Sequence, residues 1–307
     1  MTERSSIVIV GGPTASGKTQ TGLRLAEEFG GEIVSADSVQ VYRYLDIGSA
    51  KPTPEERDRV PHHMIDVRDP DEEFSAGDFV REARWCIEGI QRRGAIPIVV
   101  GGTGLYIRLL IGGIVDAPAA DPGVRKKLLE QARIEGPNAL WQRLRSIDPE
   151  TAARTPSRNV ARVARGLEVF ELTGRTLSEA QRDHRFADRP YRYLFLGITL
   201  QRDVLYERID KRVDSMIKGG LVEEVARLLA RGYSRELKPL QSIGYRHAGL
   251  VLAGELGETE AIRLMKRDTR RYAKRQFTWF RSEPEILWRN PEEYSCIRCD
   301  VAHFLGC

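Results

Sequence analysis

The chain has 307 residues, of which 41% are hydrophobic and 30% charged, as expected for a globular protein with one large or two modest domains. No apolar run is long enough to span a membrane, no signal peptide is visible, and the four cysteines do not resemble a disulfide framework. These features argue against a membrane or secreted protein, and we expect a cytoplasmic one. The net charge is only +4, but it is unevenly distributed.

The first predicted strand, residues 7–10, leads into a glycine-rich loop and a predicted helix at 20–29. The loop matches G-x-x-x-x-G-K-[ST], and its backbone N–H groups are expected to hold phosphate oxygens. Lys18 adds a positive charge, and the Thr19 hydroxyl can reach Mg²⁺. The pattern predicts a polyphosphate site without specifying ATP. The predicted phosphate-binding residues are Gly12, Pro13, Thr14, Ala15, Ser16, Gly17, Lys18 and Thr19.

The second predicted strand, 32–36, ends at Asp37. Ligand sites of open α/β sheets lie at the carboxyl ends of the strands, so Asp37 is well placed for chemistry. It can serve as a general base or hold Mg²⁺ through water. The alternative is an aspartate that only caps a turn.

A helix predicted at 76–93 precedes the third strand, 95–100. This strand ends in Gly-Gly-Thr, residues 101–103, where an ATPase usually places a metal-binding aspartate. We expect the glycines to let a ligand approach the backbone and the Thr103 hydroxyl to hydrogen-bond it. A tight turn into the helix predicted at 105–110 is the alternative.

Residues 116–189 contain helical patterns, including a helix at 158–173 ending at Gly174, but no convincing strand. A strand follows at 193–200, and the chain then reads as helical to about residue 281. We therefore predict an α/β fold: a P-loop NTPase-like parallel sheet flanked by helices, with a helical insertion domain. The predicted core comprises 1–115 and 190–295, the insertion 116–189, and a short tail 296–307.

Two arrays of basic residues lie in the C-terminal helical part. Arg208 and Arg212 share a face of a helix predicted at 203–218, where they can close over phosphates or simply face solvent. Residues 262–281 hold eight Lys/Arg but one acid, Asp268, and most of these cations fall on one helical stripe. Because the acids that normally balance such a stripe are missing from the segment, we favour contact with a nucleic-acid backbone.

The last residues carry zinc-type ligands in the order C-x₂-C-x₃-H-x₃-C, namely Cys296, Cys299, His303 and Cys307. The spacing is tight and the last ligand is the final residue. We therefore favour a tail with incidental cysteines over a zinc site.

Several segments together resemble the bacterial tRNA dimethylallyltransferases, also called tRNA isopentenyltransferases. They run in family order: GPTASGKT (12–19), DSVQVYRYLDIGSAKP (37–52), PHHMIDVRDPDEEFSAGDF (61–79), GGTGLY (101–106), RVARGLEVFELTGR (162–175), KGGLVEEV (218–225), SIGYRH (242–247) and AKRQFTWFR (273–281). The phosphate loop alone would be weak evidence, but its combination with the other segments is highly specific.

The resemblance implies transfer of a dimethylallyl group from dimethylallyl diphosphate to the exocyclic amine of the adenosine just 3′ of the anticodon, in tRNAs that read codons beginning with U. It implies that Asp37 is the general base, that Thr103 contacts the site of transfer, and that residues 14–19 hold the diphosphate with Mg²⁺. Lys18, with Arg208 as a further candidate, would stabilise the leaving group. We also expect a monomer without membrane contact. The positions matching tRNA contacts are Asp37, Ser38, Val39, Gln40, Thr103, Arg125, Arg162, Arg165, Ser242, Gly244, Tyr245, Arg246, His247, Lys274, Arg275, Gln276, Trp279 and Arg281.

Three other functions share some of these features. An adenylate isopentenyltransferase of the cytokinin type would share the phosphate loop and the aspartate, but it would not need a basic stripe. A P-loop small-molecule kinase would transfer phosphate from ATP. A non-enzymatic RNA-binding regulator would not depend on Asp37.

Overall fold

The computed structural model describes residues 5–114, 118, 120–184 and 188–307. The chain divides into two compact units, which are described separately. The core unit comprises Met1–Ile111 and Pro190–Cys307, and the helical unit comprises Gly112–Arg189. The domain boundary expected between residues 115 and 116 lies outside the described residues.

The first part of the core unit alternates strands and helices. Capping boxes begin two of its helices, one at Thr53 with Glu56 and one at Ser75 with Asp78. In chain order its elements are β1 (Ser6–Gly11), α1 (Lys18–Phe29), β2 (Gly31–Ser35), α2 (Pro54–Arg59), β3 (His62–His63), α3 (Ala76–Arg92), β4 (Ile96–Gly101) and α4 (Gly104–Gly112).

The helical unit has no strand among its described residues. Its helices are α5 (Pro122–Glu135), α6 (Pro137–Ile147), α7 (Pro149–Ala153), α8 (Val160–Thr173) and α9 (Leu177–His184). Proline occupies the first turn of α5, α6 and α7, where its missing N–H costs no helical hydrogen bond. The prediction that a helix ends at Gly174 is confirmed, because Gly174 has a φ of 71° as the C-cap of α8.

The chain then returns to the core unit with β5 (Arg192–Ile198), α10 (Arg202–Lys218), α11 (Leu221–Ala230), a 3₁₀ turn (Lys238–Gln241), α12 (Tyr245–Leu252), α13 (Glu258–Phe280), β6 (Ile286–Arg289) and α14 (Tyr294–Leu305). The segment expected as a short tail, 296–307, thus lies mostly within α14. Ile297 and Val301 of this helix are fully buried in the apolar cluster on one face of the sheet. Apolar contact with the sheet therefore makes this segment part of the core unit.

One six-stranded sheet, in the order β3-β2-β4-β1-β5-β6, forms the centre of the core unit. Every strand pairing is parallel, and apolar clusters cover both faces. The prediction of a parallel sheet flanked by helices is confirmed. The short edge strands β3 and β6 were not predicted. No helix in the described parts of the chain is long and apolar enough to cross a membrane.

The parallel arrangement brings the ends of β1, β2, β4 and β5 to one edge of the sheet. The phosphate loop follows β1, Asp37 follows β2, and Thr103 follows β4. Segments far apart in sequence therefore meet at this edge.

Candidate active site

The loop between β1 and α1 is shaped by residues with positive φ. Gly12 has a φ of +149°, and a Cβ added there would lie 2.4 Å from the carbonyl oxygen of Ile198. Gly17, with a φ of 98°, is the left-handed N-cap of α1. A side chain would be strained at Gly17 and would collide with the neighbouring strand at Gly12. The loop consequently presents the N-terminus of a twelve-residue helix, which favours an anion.

Three cationic side chains surround this loop. Lys18 Nζ donates to the carbonyl of Pro13 at 3.2 Å, and burial, assisted by Arg212 and opposed by Asp37, lowers the pKa of Lys18 to about 8. Burial also lowers the pKa of Arg212, against the opposing effect of Asp37. The Arg212 guanidinium makes no hydrogen bond or ion pair with a described residue. Arg208 lies beside Gly17 and pairs with Glu292 at 3.2 Å.

The Asp37 carboxylate has one oxygen engaged and one free. Oδ1 accepts hydrogen bonds from the backbone N–H groups of Val39 at 2.8 Å and Gln40 at 3.3 Å, which fixes the side chain in an Asx turn. Oδ2 accepts no hydrogen bond from any residue that the structure describes. This oxygen is available to accept a proton from a substrate.

Thr103 joins the end of β4 to the loop that carries Asp37. Its backbone N–H donates to the Ala36 carbonyl at 3.2 Å, and its Oγ1 accepts from the Ser38 N–H at 3.2 Å. Because Oγ1 is already an acceptor in this pair, the hydroxyl proton can be donated elsewhere. Asp37 and Thr103, which the resemblance assigns to the transfer site, therefore lie on segments that are hydrogen-bonded to each other.

The glycines at the end of β4 are required for packing within the protein, a reason that we did not expect. A Cβ at Gly101 would lie 2.1 Å from the Ala36 carbonyl oxygen, and one at Gly102 would lie 2.4 Å from Gln276 Nε2. These glycines allow close packing within the protein, and Gly101 also lines the narrow cavity that contains Lys18 and Asp37, so the approach of a ligand to this backbone stays a prediction. Gly104 is similar, because a Cβ added there would lie 2.1 Å from the Trp279 ring.

Gln276 of α13 links two parts of the site. Its Oε1 accepts from the Thr14 N–H at 2.9 Å, and its Nε2 donates to the Gly102 carbonyl at 2.9 Å. The side chain is buried. Gln276 therefore connects the phosphate loop to the end of β4, a role that its predicted contact with tRNA does not describe.

Three adjoining cavities follow one another along this edge of the sheet. The loop cavity, about 320 Å³, is lined by Gly17, Lys18, Thr19 and Arg208. A narrow cavity of about 70 Å³ contains Lys18 and Asp37. The reaction chamber, about 340 Å³, contains Asp37 and Thr14. Arg212 lines all three. Asp37 thus lies between the cavity of the phosphate loop, with its cationic side chains, and the reaction chamber.

The chamber is apolar on one side and polar on the other. Its apolar walls include Val39, Val213, Met216, Ile243 and Met265. Tyr272 also lines it, and burial, with a smaller contribution from Asp37, raises the pKa of the Tyr272 hydroxyl to about 12. The phenol is therefore neutral at physiological pH. Sequence reasoning did not identify Tyr272, because an aromatic residue among apolar ones in a helix reads as core.

The predicted contacts at 242–247 are only partly exposed. The Tyr245 hydroxyl donates to buried Glu224 at 2.7 Å, and buried His247 lies 3.4 Å from Asp268. Gly244 donates its backbone N–H to His247 Nδ1. Ser242 lines the reaction chamber, and Arg246, which is exposed, pairs with Asp268. Tyr245 and His247 hold the segment in place, while Ser242 and Arg246 are accessible to a substrate.

Most of the basic residues in the stripe on α13 pair with carboxylates of the protein, which lowers the positive charge expected from the sequence without removing it. The ion pairs are Arg263 with Glu260, Lys266 with Asp214, Arg267 and Arg271 with Asp268, and Arg270 with Asp210. Asp210 and Asp214 come from α10, so their role was not visible in the segment itself. Only Lys274, Arg275 and Arg281 make no ion pair with the described part of the chain. The cations without an ion pair thus lie at the C-terminal end of the helix, while Arg246, Arg267 and Arg271 share the single carboxylate of Asp268.

In the helical unit, buried Glu168 orders two of the predicted tRNA contacts. One of its oxygens lies 3.2 Å from Arg125 and 2.7 Å from Arg165, and the other accepts from the Asp121 N–H at 2.9 Å. Arg162 is exposed on the same helix, α8. Two arginines are held together by one carboxylate, which leaves the cluster a net positive charge.

Among the described residues, no three His, Cys, Asp or Glu side chains lie close enough to hold a metal ion. Cys296, Cys299 and Cys307 are exposed, and a zinc site at these residues is not supported. Thr19 and Asp37 do line one narrow cavity together, and both offer hard oxygen atoms. Such a pair fits Mg²⁺, which binds few protein ligands and takes its others from water and phosphate.

Family models match most of the chain. The model described as IPP transferase matches residues 40–283, and the one described as isopentenyl transferase matches residues 5–73. The chain is 54% identical to a tRNA dimethylallyltransferase from Geobacter metallireducens over 303 residues, covering 98% of each chain. It is 51% identical to a tRNA dimethylallyltransferase from Geobacter sulfurreducens, covering 99% of this chain and 98% of the relative.

Solved structures show the same similarity. The full-length tRNA isopentenylpyrophosphate transferase from Bacillus halodurans is 40% identical, with a TM-score of 0.73, over 99% of this chain and 97% of that one. A eukaryotic dimethylallyltransferase, described as acting on tRNA, is 30% identical with a TM-score of 0.79, over 93% of this chain and 74% of that one.

Proposed function

This chain belongs to the IPP transferase family, and on that premise we propose how its residues transfer a dimethylallyl group from dimethylallyl diphosphate to an adenine of tRNA. The chain is a transferase of the tRNA dimethylallyltransferase type. The free Oδ2 of Asp37, between a cationic pocket and a partly apolar chamber, is the observation that supports the mechanism best. The proposed acceptor is the adenosine 3′ of the anticodon in tRNAs that read codons beginning with U, and the proposed location is the cytoplasm.

The leaving group fits the cationic end of the site. As the bond between the allylic carbon and the diphosphate oxygen breaks, positive charge grows on the carbon and negative charge on the diphosphate. Lys18, Arg212 and the N-terminus of α1 are fixed where they would stabilise that negative charge. Arg208, beside the loop, adds to the same field. Thr19 would hold Mg²⁺ on the diphosphate side, with Asp37 reaching it only through water, and the ion would add positive charge there.

The acceptor amine fits the other end. The exocyclic nitrogen of adenine attacks the allylic carbon, the new C–N bond forms as the C–O bond breaks, and one amine proton goes to Asp37 Oδ2. A positioned carboxylate is useful because the amine lone pair is delocalised into the ring. The Thr103 hydroxyl, fixed beside Ser38, is free to hydrogen-bond the incoming nucleotide.

An adenine can reach this chamber only after leaving its stack in the anticodon loop. Cations without an ion pair support the approach of RNA, since Arg275 lines the chamber and Lys274 and Arg281 are exposed at the C-terminal end of α13. On the helical unit we propose that Arg125, Arg162 and Arg165 contact the RNA as well. Among the chamber residues, we propose that Ser242 contacts the flipped nucleotide.

The test is an acceptor and donor comparison with the purified chain and Mg²⁺. An anticodon stem-loop RNA and AMP are each incubated with dimethylallyl diphosphate or with labelled ATP. We expect diphosphate release and alkylation with the stem-loop and dimethylallyl diphosphate only. Equal or faster alkylation of AMP would support the cytokinin-type activity instead, and phosphate transfer from ATP would support a kinase. Neither alternative is favoured by the relatives.

A further inference from the structure

A fourth cavity lies on the other side of α13 from the reaction chamber. Its volume is about 450 Å³, and it lies between the end of β5, the start of α10 and the C-terminal part of α13. It shares no lining residue with the loop cavity, the narrow cavity or the reaction chamber. The helix α13 therefore has the reaction chamber on one face and this separate, fourth cavity on another.

The walls of this fourth cavity combine aromatic rings with cations. Tyr206 of α10 and Phe277 of α13 supply the rings. The Arg202 guanidinium lies 5.1 Å from the centre of the Tyr206 ring, and that of Arg281 lies 5.4 Å from the centre of the Phe277 ring. Lys274 is also exposed at the rim. Aromatic rings and arginine planes are the surfaces on which proteins stack unpaired nucleobases.

The charges around the cavity are not compensated. Arg202, Lys274 and Arg281 make no ion pair with any residue in the described ranges, whereas the basic residues from 263 to 271 on the same helix are all paired. No carboxylate of the described residues lines the cavity. Three cations without ion pairs around two aromatic rings are complementary to a nucleotide whose base stacks on the rings and whose backbone has a phosphate on each side.

The position of the cavity relates it to the reaction. Its lining residues Thr199 and Leu200 follow β5 at the same sheet edge as the phosphate loop. Its inner wall belongs to a small apolar cluster of Leu205, Ile209 and Ala273, against which Ala15 of the phosphate loop packs. A base held here would lie close to the reacting groups without occupying their cavity.

We infer that this cavity binds a second unstacked nucleobase of the RNA substrate, a loop nucleotide other than the adenosine that is alkylated. The inference rests on the proposed function, since it takes the same RNA as its ligand. Stacking between Tyr206 and Phe277, with Arg202, Lys274 and Arg281 on the flanking phosphates, holds the loop open while the acceptor adenine occupies the chamber.

A double-mutant cycle between the protein and the RNA, measured by binding, tests the inference without requiring turnover. Stem-loop RNAs with an abasic site at each loop position in turn are titrated against the wild type, Tyr206→Leu and Tyr206→Phe. Tyr206→Leu should weaken binding of the intact stem-loop about tenfold, the size of one base–aromatic stack. At one loop position, the abasic RNA should bind the wild type about tenfold more weakly than the intact RNA does. The same abasic RNA should bind Tyr206→Leu no more weakly than the intact RNA binds that variant. Tyr206→Phe keeps the ring and should bind as the wild type does.

Phe277→Leu should show the same coupling to the same loop position, which keeps the test valid if Tyr206→Leu does not fold. Additive losses at every loop position in both Leu variants would overturn the inference, as would weaker AMP binding with stem-loop binding unchanged. Nucleoside mass analysis of the same mixtures reports alkylation separately. Alkylation without coupling contradicts only the second base site, whereas coupling without alkylation contradicts only the proposed reaction.

Discussion

At the scale of single residues, the site depends on one carboxylate oxygen. Asp37 Oδ1 is held by two backbone N–H groups, and Oδ2 has no partner in the described chain. Asp37→Asn keeps the size of the side chain and an oxygen that can accept these bonds, but an amide cannot take up the amine proton. We expect turnover to fall by at least about a hundredfold, the lower range for a general base, with little change in RNA affinity.

Single-turnover alkylation and equilibrium binding of the same stem-loop measure these two effects. Asp58→Asn makes the same chemical change at an exposed position of α2 and serves as the matched control. A D37N variant that alkylates at the wild-type rate would remove Asp37 from the mechanism.

The lowered pKa of Lys18 gives a pH dependence with a definite sign. In the free protein this ammonium loses its proton above about pH 8, and a bound diphosphate would raise its pKa again. Affinity for dimethylallyl diphosphate should therefore be highest below pH 8 and fall as the pH rises, by up to about tenfold per unit. The last proton of the diphosphate is lost near neutral pH, so the fall in affinity above about pH 8 reports on Lys18.

The measurement is the KM for dimethylallyl diphosphate between about pH 7 and about pH 9.5. Lys18→Arg, which keeps its charge throughout, should give a flatter profile even if its KM is higher. A wild-type KM that stays constant across the range would contradict a titrating Lys18.

At the scale of elements, α13 contributes both hydrogen bonds at the site and cations along its length. Gln276 links the phosphate loop to the end of β4 by two hydrogen bonds, of which the one to Gly102 is buried and the one from Thr14 is partly buried. Gln276→Glu keeps an acceptor for the Thr14 N–H, but it places a carboxylate against the Gly102 carbonyl and next to the diphosphate. The KM for dimethylallyl diphosphate should rise by about tenfold or more, and the KM for RNA should change much less.

Gln142→Glu makes the same chemical change at an exposed position of α6 and serves as the matched control. If Gln276 contacted only RNA, the Gln276→Glu variant would show the opposite pattern, with a raised KM for RNA alone.

The ion pairs along α13 predict which of its cations bind phosphate. Replacing Lys274, Arg275 and Arg281 with Gln removes unpaired charges, whereas replacing Arg263, Lys266 and Arg270 with Gln removes paired ones. Both triple variants lose the same net charge. The first should reduce the slope of log affinity against log salt by about two to three, and the second by less than about one.

Stem-loop binding at several salt concentrations measures both slopes. Equal reductions in the two triple variants would mean that the ion pairs with Asp210, Asp214 and Glu260 open when RNA binds.

At the scale of the whole molecule, the parallel sheet explains why sequence reasoning found much of the site. A short β-branched strand before the phosphate loop and a buried apolar strand before Thr103 each have a strong local pattern, and parallel pairing brings their ends together. The edge strands β3 and β6 have two and four residues, too short to show a period. The helix α14 was not predicted because its cysteines and histidine were interpreted as zinc-type ligands. The helical spacing of Ile297 and Val301, which are buried, was the signal that indicates it.

Contacts between distant segments set the limit of that reasoning. The acids that neutralise α13 lie partly on α10, and the partner of Gly102 is Gln276, 174 positions away. Charge counted along one segment therefore overestimated the cationic surface. The relatives match almost the full length of the chain, so the family assignment does not depend on these local details.

The most direct test of the central claim is mass analysis of the nucleosides and fragments of whole tRNA after incubation with the chain, dimethylallyl diphosphate and Mg²⁺. The account predicts that one adenosine per responsive tRNA gains a dimethylallyl group in place of a hydrogen, at the position 3′ of the anticodon. It predicts no gain with the Asp37→Asn variant. An unmodified adenosine pool with folded wild-type protein that binds the tRNA, or a gain at another position, would contradict it.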